Sequence, residues 1–226
     1  NLFRQNSRRI ASPRHRIILK INAMPQEIQE TDFIVLRTTR YGEGKLIVNG
    51  LTPSGRLSFI VYGAVGGGKK GGLDFELFRL LHVSYQETDR ELQKCSQATV
   101  VADYAALARH FDGYSAACWL SQFSLANMPS GLDCRYFFES VRIGLERLAA
   151  QSALPAAIIT GVILVYLREG GWLSDYDDSP QTARQIQILL EMALGGDIPR
   201  LAKDNWEQLH QWALALLRMN DECIMP

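Results

Sequence analysis

Seven residues in the N-terminal third of the chain have side chains suited to holding a nucleic acid. Six are cations, which neutralise phosphates, and one is a tyrosine, whose ring can stack on a base. They are Arg37, Arg40, Tyr41, Lys45, Arg56, Lys69 and Lys70. None of them stands in a nucleophile and general-base motif, so the chemistry they predict is binding without reaction.

Two further aromatic residues, Phe59 and Tyr62, follow in the same stretch. Residues two apart in a strand share a face, so Phe59 sides with the apolar Leu57 and Val61 and is predicted to be core. Tyr62 sides with Ser58 and Ile60. Tyr41 is predicted in a turn, which makes it the preferred stacking candidate; the alternative is a turn tyrosine with no ligand.

A glycine-rich segment, Gly63 to Gly72, carries Lys69 and Lys70. Gly63, Gly68 and Lys69 have the spacing of a phosphate-binding loop, but Lys70 replaces the Ser or Thr that would hold Mg²⁺. Gly71 and Gly72 also disfavour the helix whose N-terminus would face the phosphates. We therefore predict no nucleotide cofactor. Two interpretations stay open: a basic loop on a DNA backbone, or a solvated linker.

Metal binding and catalysis find little support. The cysteines show no Cys-x-x-Cys pair, which predicts no zinc site and favours scattered thiols in a reducing cytoplasm; they are Cys95, Cys118, Cys134 and Cys223. The clustered carboxylates Asp175, Asp177 and Asp178 are explained by a following helix N-terminus. The four histidines stand apart from one another. We predict a protein that is not an enzyme and has no cofactor.

The elements that position the candidate residues are short strands. Apolar, β-branched runs at 32–38, 45–51 and 57–62 predict a three-stranded meander, with breaks at Tyr41 to Gly44 and at Pro53 to Gly55. Pro53 suits the first turn position, and Gly55 can adopt a positive φ. A fourth strand is predicted at 75–85 and a weaker fifth at 93–100.

The order of short motifs in this stretch resembles the opening domain of the bacterial DNA repair family RecO. The residues that carry the resemblance are Ile34 to Arg37, Tyr41 to Glu43, Leu51 to Pro53, Gly55 to Leu57 and Gly63-Ala64. The resemblance implies an OB-fold β-barrel followed by a helical domain. It also implies a recombination mediator that binds and anneals single-stranded DNA and acts with RecR and single-stranded-DNA-binding protein. Whether double-stranded DNA is a second partner is left open by the resemblance.

The remaining sequence has helical periodicity. One stripe runs from Val101 to Phe111, and another follows a predicted break at Asp112-Gly113. Further helices are predicted at 133–150, at 155–167 as the buried centre, from Pro180 (capped by Ser179) to Leu194, and after a capping Asp204. The fold class is therefore α+β, with an OB-fold domain at 25–98 and a mostly α-helical domain at 99–226. The resemblance extends over roughly 27–218.

Two departures from the family pattern affect what is carried over. Many members insert a four-cysteine zinc module after the central helix, whereas this chain passes through Gly171 to Asp178 directly to the next helix. A basic C-terminal tail is replaced by Asn220 to Pro226, which holds two acids. Zinc is therefore not carried over, and a DNA contact from the tail is not expected.

Charge is distributed unevenly along the chain. Residues 1–72 hold 12 Lys and Arg against 4 Asp and Glu, although the totals balance at 24 each. Residues 1–24 are interpreted either as a basic arm or as an upstream extension with no selected role. The longest apolar run, 153–167, is too short to span a bilayer.

Two functional interpretations remain from the sequence. The first is a non-enzymatic DNA-binding mediator in the cytoplasm, associated with the nucleoid. The alternative is a protein-interaction adaptor on the same fold with weak or no DNA affinity. Its support is the small excess of 6 Lys and Arg over 4 acids between Met24 and Gly72.

Overall fold

The computed structural model describes residues 28–62, 75–173 and 179–226. Within those residues five strands precede five α-helices. The strands are β1 (Ile28–Tyr41), β2 (Lys45–Thr52), β3 (Gly55–Tyr62), β4 (Arg79–Gln86) and β5 (Lys94–Asp103). The helices are α1 (Phe111–Asn127), α2 (Arg135–Ala149), α3 (Pro155–Glu169), α4 (Pro180–Ala193) and α5 (Lys203–Arg218), with a short 3₁₀ helix at Ala105–Arg109 before α1. The predicted α+β class is confirmed.

The five strands form one antiparallel sheet in the order β3-β2-β1-β4-β5. Strand β1 is long enough to pair with two neighbours, with β4 along its first half and with β2 along its second. The pairing with β2 shifts register between Val35 and Arg37. Such a bulge inserts one extra residue, here Leu36, and bends the strand.

The two edges of the sheet approach each other but do not form a continuous ladder. One isolated bridge joins Phe59 of β3 to Gln93, just before β5. The Ile60 amide donates to the Gln93 carbonyl at 3.0 Å, and the Gln93 amide donates to the Ser58 carbonyl at 2.9 Å. The expected OB-type meander is therefore present, whereas the word barrel applies only loosely to the unclosed sheet.

Each face of the sheet is buried against a different core. The inner face holds an aromatic cluster in which the Phe33 and Phe59 ring centres are 5.0 Å apart. Phe59 is fully buried, as its strand alternation predicted. The outer face packs part of its area against the helices, because Ile34, Leu51 and Leu80 belong to the core cluster of the helical domain.

Helix α3 lies at the centre of the helical domain, as predicted. Every residue from Ala157 to Leu167 is buried, and Pro155 occupies the first turn, where its missing N–H is not needed. Ser179 caps α4 by accepting a hydrogen bond from the Thr182 amide at 3.4 Å.

Several predicted element bounds were wrong. Strand β5 continues to Asp103 because its β-branched residues pair with β4, so no α-helix begins near Val100. Helix α1 passes through the Asp112-Gly113 position without a break. Strand β4 begins at Arg79 rather than residue 75, since Phe78 has a φ of 61°, which interrupts extended backbone.

The end of β4 and the start of α5 also differ from the sequence prediction. Strand β4 reaches Gln86, one residue further than expected. Asp204 lies inside the first turn of α5, where its charge favours the helix N-terminus, while Ala202 is the capping position.

The β2–β3 turn joins the sheet to the helical domain. The Arg56 amide donates to the Pro129 carbonyl at 3.1 Å, and the Gly131 amide donates to the Ser54 carbonyl at 2.9 Å. Gly55 has the positive φ that its turn position predicted, +92°. A Cβ at this position would lie 2.1 Å from the Pro129 carbonyl oxygen, so only glycine permits this close approach.

Candidate nucleic-acid interface

Three side chains form a row across the outer face of the sheet. Tyr41 of β1 pairs with Lys45 of β2, and Lys45 pairs with Tyr62 of β3. Directly opposed residues of antiparallel strands point to the same face. The tyrosine side chains are 56% and 59% exposed, respectively. The row therefore presents two aromatic rings to solvent with one cation between their strands.

Within this row the lysine and one ring are in contact. Lys45 Nζ lies 5.5 Å from the centre of the Tyr62 ring. This distance is within the range of a cation–π interaction, which orients the ring and keeps the ammonium group near its face. The strand spacing places Tyr41 and Tyr62 about 10 Å apart, two strands from each other.

The same face continues along the strands with polar and basic groups. Arg37 pairs with Asn49, and the Ser58 hydroxyl donates to Asn49 Oδ1 at 2.8 Å. Arg37 is exposed and lies four residues from Tyr41, which is about 13 Å along a strand. The outer face thus carries Arg37, Tyr41 and Lys45 of the predicted site.

The other predicted cations are not part of this row in the described residues. Arg40 pairs with Leu46, whose side chain packs against the inner core, so Arg40 projects from the opposite face. The Arg56 guanidinium donates from Nη1 to the Leu125 carbonyl at 3.1 Å, which places it at the junction with α1. Lys69 and Lys70, like Asp175, Asp177 and Asp178, lie outside the described residues.

A hollow of about 840 Å³ adjoins Tyr62. Its walls are Ile60, Tyr62, the turn between β4 and β5, which contributes Arg90, and Lys94, the first residue of β5. The turn also contributes acids to the rim, namely Glu87, Asp89 and Glu91. The hollow is therefore mixed in charge, and it is bounded by the strand face and turn that commonly hold ligands in OB-folds.

Gln93 fixes the shape of this turn. Its side-chain amide donates to the Thr88 and Arg90 carbonyls at 2.9 and 2.6 Å, and its Oε1 accepts from the Thr88 amide at 2.9 Å. Sequence reasoning did not include Arg90 and Lys94 among the candidate residues. The sequence feature that pointed to these two residues was the position of the turn between the last two strands. The alternating charges within the turn indicate no ligand.

The residues that form the sheet match a known protein family. Residues 24–104, which contain all five strands, match the family model described as Recombination protein O N terminal. The N-terminal part of this chain is similar to the RecO N-terminal domain over these residues. The predicted resemblance to RecO is thereby confirmed for these residues. No curated protein matches the chain.

At the level of the family, this match supports a role in recombinational DNA repair and in DNA binding. The RecO domain here places its exposed tyrosines and Lys45 on the side of the sheet that is free of the helices at that end. The match ends at residue 104. The helical domain is therefore known from its structure alone.

Two of the thiols, those of Cys95 and Cys134, are not activated. Burial raises the pKa of the Cys95 thiol and of the Cys134 thiol to about 11, so both remain protonated near neutral pH. All four cysteines are free. Among residues 28–62, 75–173 and 179–226, no group of three or more His, Cys, Asp or Glu side chains could hold a metal ion.

A separate ion-pair cluster lies on the outer face near the start of β1. His82 Nδ1 is 2.9 Å from Asp32 Oδ1, and His82 Nε2 is 3.9 Å from Glu30 Oε2. The hydrogen bond to Asp32 raises the pKa of His82, against a smaller opposing effect of burial.

In the part of the chain that the structure describes, no helix has the length and apolar character needed to cross a membrane.

Proposed function

We propose that this chain is a non-enzymatic recombination mediator that binds single-stranded DNA across the row of Tyr41, Lys45 and Tyr62. The observation that carries the proposal is this exposed row on the outer face of a sheet whose residues match the RecO N-terminal family model. The proposed place of action is the cytoplasm, on the nucleoid.

Binding of this kind combines two physical effects. Each base stacked on an aromatic ring contributes roughly 1 to 3 kcal/mol and tolerates every base, since all bases have a π face. Arg37 and Lys45 follow the phosphate backbone, which carries no sequence information. A duplex hides its base faces, so the tyrosines favour single strands, while the cations also permit weaker contact with duplex DNA.

The remaining predicted cations divide into two pairs. Lys69 and Lys70 complete the proposed cationic set, because in the sequence they follow the strand that carries Tyr62 by a few residues. Arg40 and Arg56 are left out of the set, since the first projects from the opposite face and the second bonds to the Leu125 carbonyl.

The proposal also assigns the annealing of complementary strands to this surface. A strand held by its backbone and by sparse stacking keeps most base edges accessible for pairing. The OB-type domain, predicted at 25–98, holds DNA, and the helical domain, predicted at 99–226, meets the proteins RecR and single-stranded-DNA-binding protein.

The direct experiment is a titration of a fluorescein-labelled oligothymidylate by fluorescence anisotropy over a series of salt concentrations. The expected result is sequence-tolerant binding whose log K falls linearly with log salt, by about 0.7 per phosphate contacted. A mixed-sequence strand and a duplex of equal length serve as comparisons. Absence of salt-dependent binding to any of the three contradicts the proposal.

A groove between α4 and α5 is the proposed site for the tail of single-stranded-DNA-binding protein. Its volume is about 530 Å³, and its lining is largely apolar, including Ile188, Leu201 and Trp212. Such a groove accepts an apolar anchor of a peptide, and nearby cations attract an acidic one. Arg184 lies on α4, next to the groove residue Gln185.

Three further arginines of the helical domain, on α2 and α3, were also candidates for this charge but have different surroundings. Arg142 pairs with Glu139 and Glu146 at 2.8 and 3.2 Å. Arg147 donates to the Met192 and Gly196 carbonyls, both at 2.6 Å. Arg168 lines a separate hollow beside Tyr136.

Calorimetric titration with an acidic peptide that ends in Phe tests the α4–α5 groove. Ile188→Glu should abolish binding, because a carboxylate at the groove wall repels the peptide and removes apolar surface. Leu132→Glu, at an exposed leucine between α1 and α2, is the matched control. Equal binding by both variants, or no binding by the parent protein, argues against the groove.

The adaptor remains as a second candidate because of one observation. The hollow beside Tyr62 carries Glu87, Asp89 and Glu91 against Arg90 and Lys94. These acids repel phosphates and limit the path of a DNA strand. If the protein binds the peptide but shows no salt-dependent DNA affinity, the adaptor function is the correct one.

A further inference from the structure

The segment that follows α5 is held by a side chain that binds its backbone. Asn127, the last residue of α1, donates from Nδ2 to the Ile224 carbonyl at 2.8 Å. Its Oδ1 accepts from the Ile224 amide at 2.7 Å. An amide group that satisfies both the N–H and the C=O of one residue reproduces what a neighbouring β-strand offers. Asn127 therefore binds the extended backbone at this position, whichever side chain that position carries.

The amide of Asn127 is oriented for this contact by its own helix. Nδ2 also donates to the Phe123 carbonyl at 2.9 Å. Both hydrogens of the amide nitrogen are thus engaged, one within α1 and one on the segment. The oxygen then faces the Ile224 amide without further adjustment.

The segment itself alternates as an extended peptide does. The Ile224 side chain is 57% exposed, whereas Cys223 and Met225 pack against the core of the helical domain. Cys223 Sγ lies 3.7 Å from the Tyr166 hydroxyl. The wall beneath the segment is aromatic, because the Tyr166 ring centre is 5.0 Å from that of Phe123 and 5.3 Å from that of Trp172.

The docked segment is incompletely satisfied. Asn220 Nδ2 is buried without a hydrogen-bond partner among the described residues. A buried unpaired donor opposes docking, because release restores its contact with water. Among the described residues, the amides of Glu222 and Cys223 donate to Asn220, which lies within the segment itself. The attachment of the segment to the rest of the protein therefore depends largely on Asn127 and on the inward side chains of Cys223 and Met225.

We propose that Asn127 and the wall formed by Tyr166 constitute a peptide-binding groove, which the segment Asn220 to Pro226 occupies within its own chain. The partner that fits this groove is an extended peptide with apolar side chains two residues apart, at the positions of Cys223 and Met225. Binding of such a partner requires displacement of the segment, which acts as an internal competitor. This groove is separate from the DNA-binding face and does not rest on the proposed function.

The test uses a fluorescein-labelled synthetic peptide with the sequence of residues 220–226 and a truncated protein that ends at Met219. Anisotropy should show saturable sub-millimolar binding to the truncated protein. Binding to the full chain should be at least about tenfold weaker, because its own segment competes for the groove. A peptide with Ser at the two inward positions should not bind.

Variants of the truncated protein test whether Asn127 binds the peptide. Asn127→Ala removes two hydrogen bonds to the peptide and should weaken binding by about tenfold or more. Gln122→Ala, at an exposed amide on the same helix, should leave the affinity unchanged. Equal affinity of the full and truncated proteins, no binding to the truncated protein, or an unaltered Asn127→Ala affinity overturns the proposal.

Hydrogen exchange of the full chain keeps the proposal testable if truncation prevents folding. Excess unlabelled peptide should speed exchange of the Ile224 amide, because the segment spends more time released. Asn127→Ala should speed it by about tenfold or more, with the amides of α3 unchanged. An Ile224 exchange rate that responds to neither change refutes the groove.

Discussion

Lys45 Nζ lies 5.5 Å from the centre of the Tyr62 ring, on the face that also presents Tyr41. In the proposed complex the ring would stack on a base and the ammonium group would contact a phosphate, which are the two kinds of contact that a single strand offers. The contact between the lysine and the ring holds both side chains in place in the free protein, so the proposed complex would require less ordering on binding.

Removing either ring of the row should weaken DNA binding without affecting the fold. We expect Tyr62→Ala and Tyr41→Ala each to cost roughly 1 to 3 kcal/mol of affinity for single strands, because one stacked base is lost. Duplex affinity should change little. Competition anisotropy against labelled oligothymidylate measures both.

Tyr136→Ala is the control for this pair, because Tyr136 is 64% exposed but lies on α2. Its affinity should match that of the parent protein. Loss of binding in the control, or parent-like affinity in both row variants, would place the strand elsewhere.

The sequence predicted the strands and most helices because their apolar periods are strong. It could not predict which cations share a face. If the side chains of β1 alternated strictly from Ile34 onward, Arg40 would lie on the same face as Ile34 and Arg37 on the opposite face. The extra residue at Leu36 inverts this pattern, so that Arg37 lies beside Asn49 on the outer face and Arg40 on the inner. A one-residue bulge leaves no clear mark in composition.

Contacts between distant segments were likewise beyond the sequence. Arg56 has the spacing of a nucleic-acid contact, yet its guanidinium reaches the carbonyl of Leu125, 69 residues away. The bridge between Gln93 and Phe59 and the hydrogen bonds between Asn127 and Ile224 also join segments that no local pattern connects. Turn residues were easier, since the positive φ of Gly55 follows from local sterics.

The junction between the sheet and the helices should depend strongly on Gly55. Gly55→Ala forces a side chain into positive φ and places its Cβ 2.1 Å from the Pro129 carbonyl oxygen. We expect a loss of about 3 kcal/mol or more in the free energy of unfolding. Urea denaturation measures this value.

Gly42→Ala is the matched control, because it introduces the backbone strain of a positive φ without a steric clash of the new Cβ. Gly42 has a φ of +57°, and a Cβ at this position would meet no atom within 4 Å. The expected cost is about 1 to 2 kcal/mol. Equal costs for the two variants would show that the junction accommodates a side chain at Gly55.

The His82 cluster predicts a specific pH dependence of stability. The pKa of His82 is raised above 6.5, first by its hydrogen bond to Asp32. Its stabilising contribution is therefore full below about pH 6.5 and is lost as pH rises through the folded-state pKa. The stability difference between the parent protein and His82→Gln should shrink between about pH 6 and about pH 8. A difference that is constant or grows over this range contradicts the assignment.

The glycine-rich loop offers a test of the remaining predicted cations. Lys69→Ala/Lys70→Ala should weaken binding to all sequences about equally and flatten the slope of log K against log salt by up to about 1.4. Unchanged affinity and slope would mean that these lysines are solvated. That result would favour the adaptor function.

The central claim is that DNA lies on the outer face of the sheet, and salt slopes of single cation variants test it most directly. Lys45→Ala and Arg37→Ala should each flatten the slope on single strands by about 0.7, because each removes one phosphate contact. Arg40→Ala, one residue from Tyr41 but on the opposite face, should leave the slope unchanged. A slope that flattens for Arg40→Ala and not for Lys45→Ala and Arg37→Ala would contradict the account.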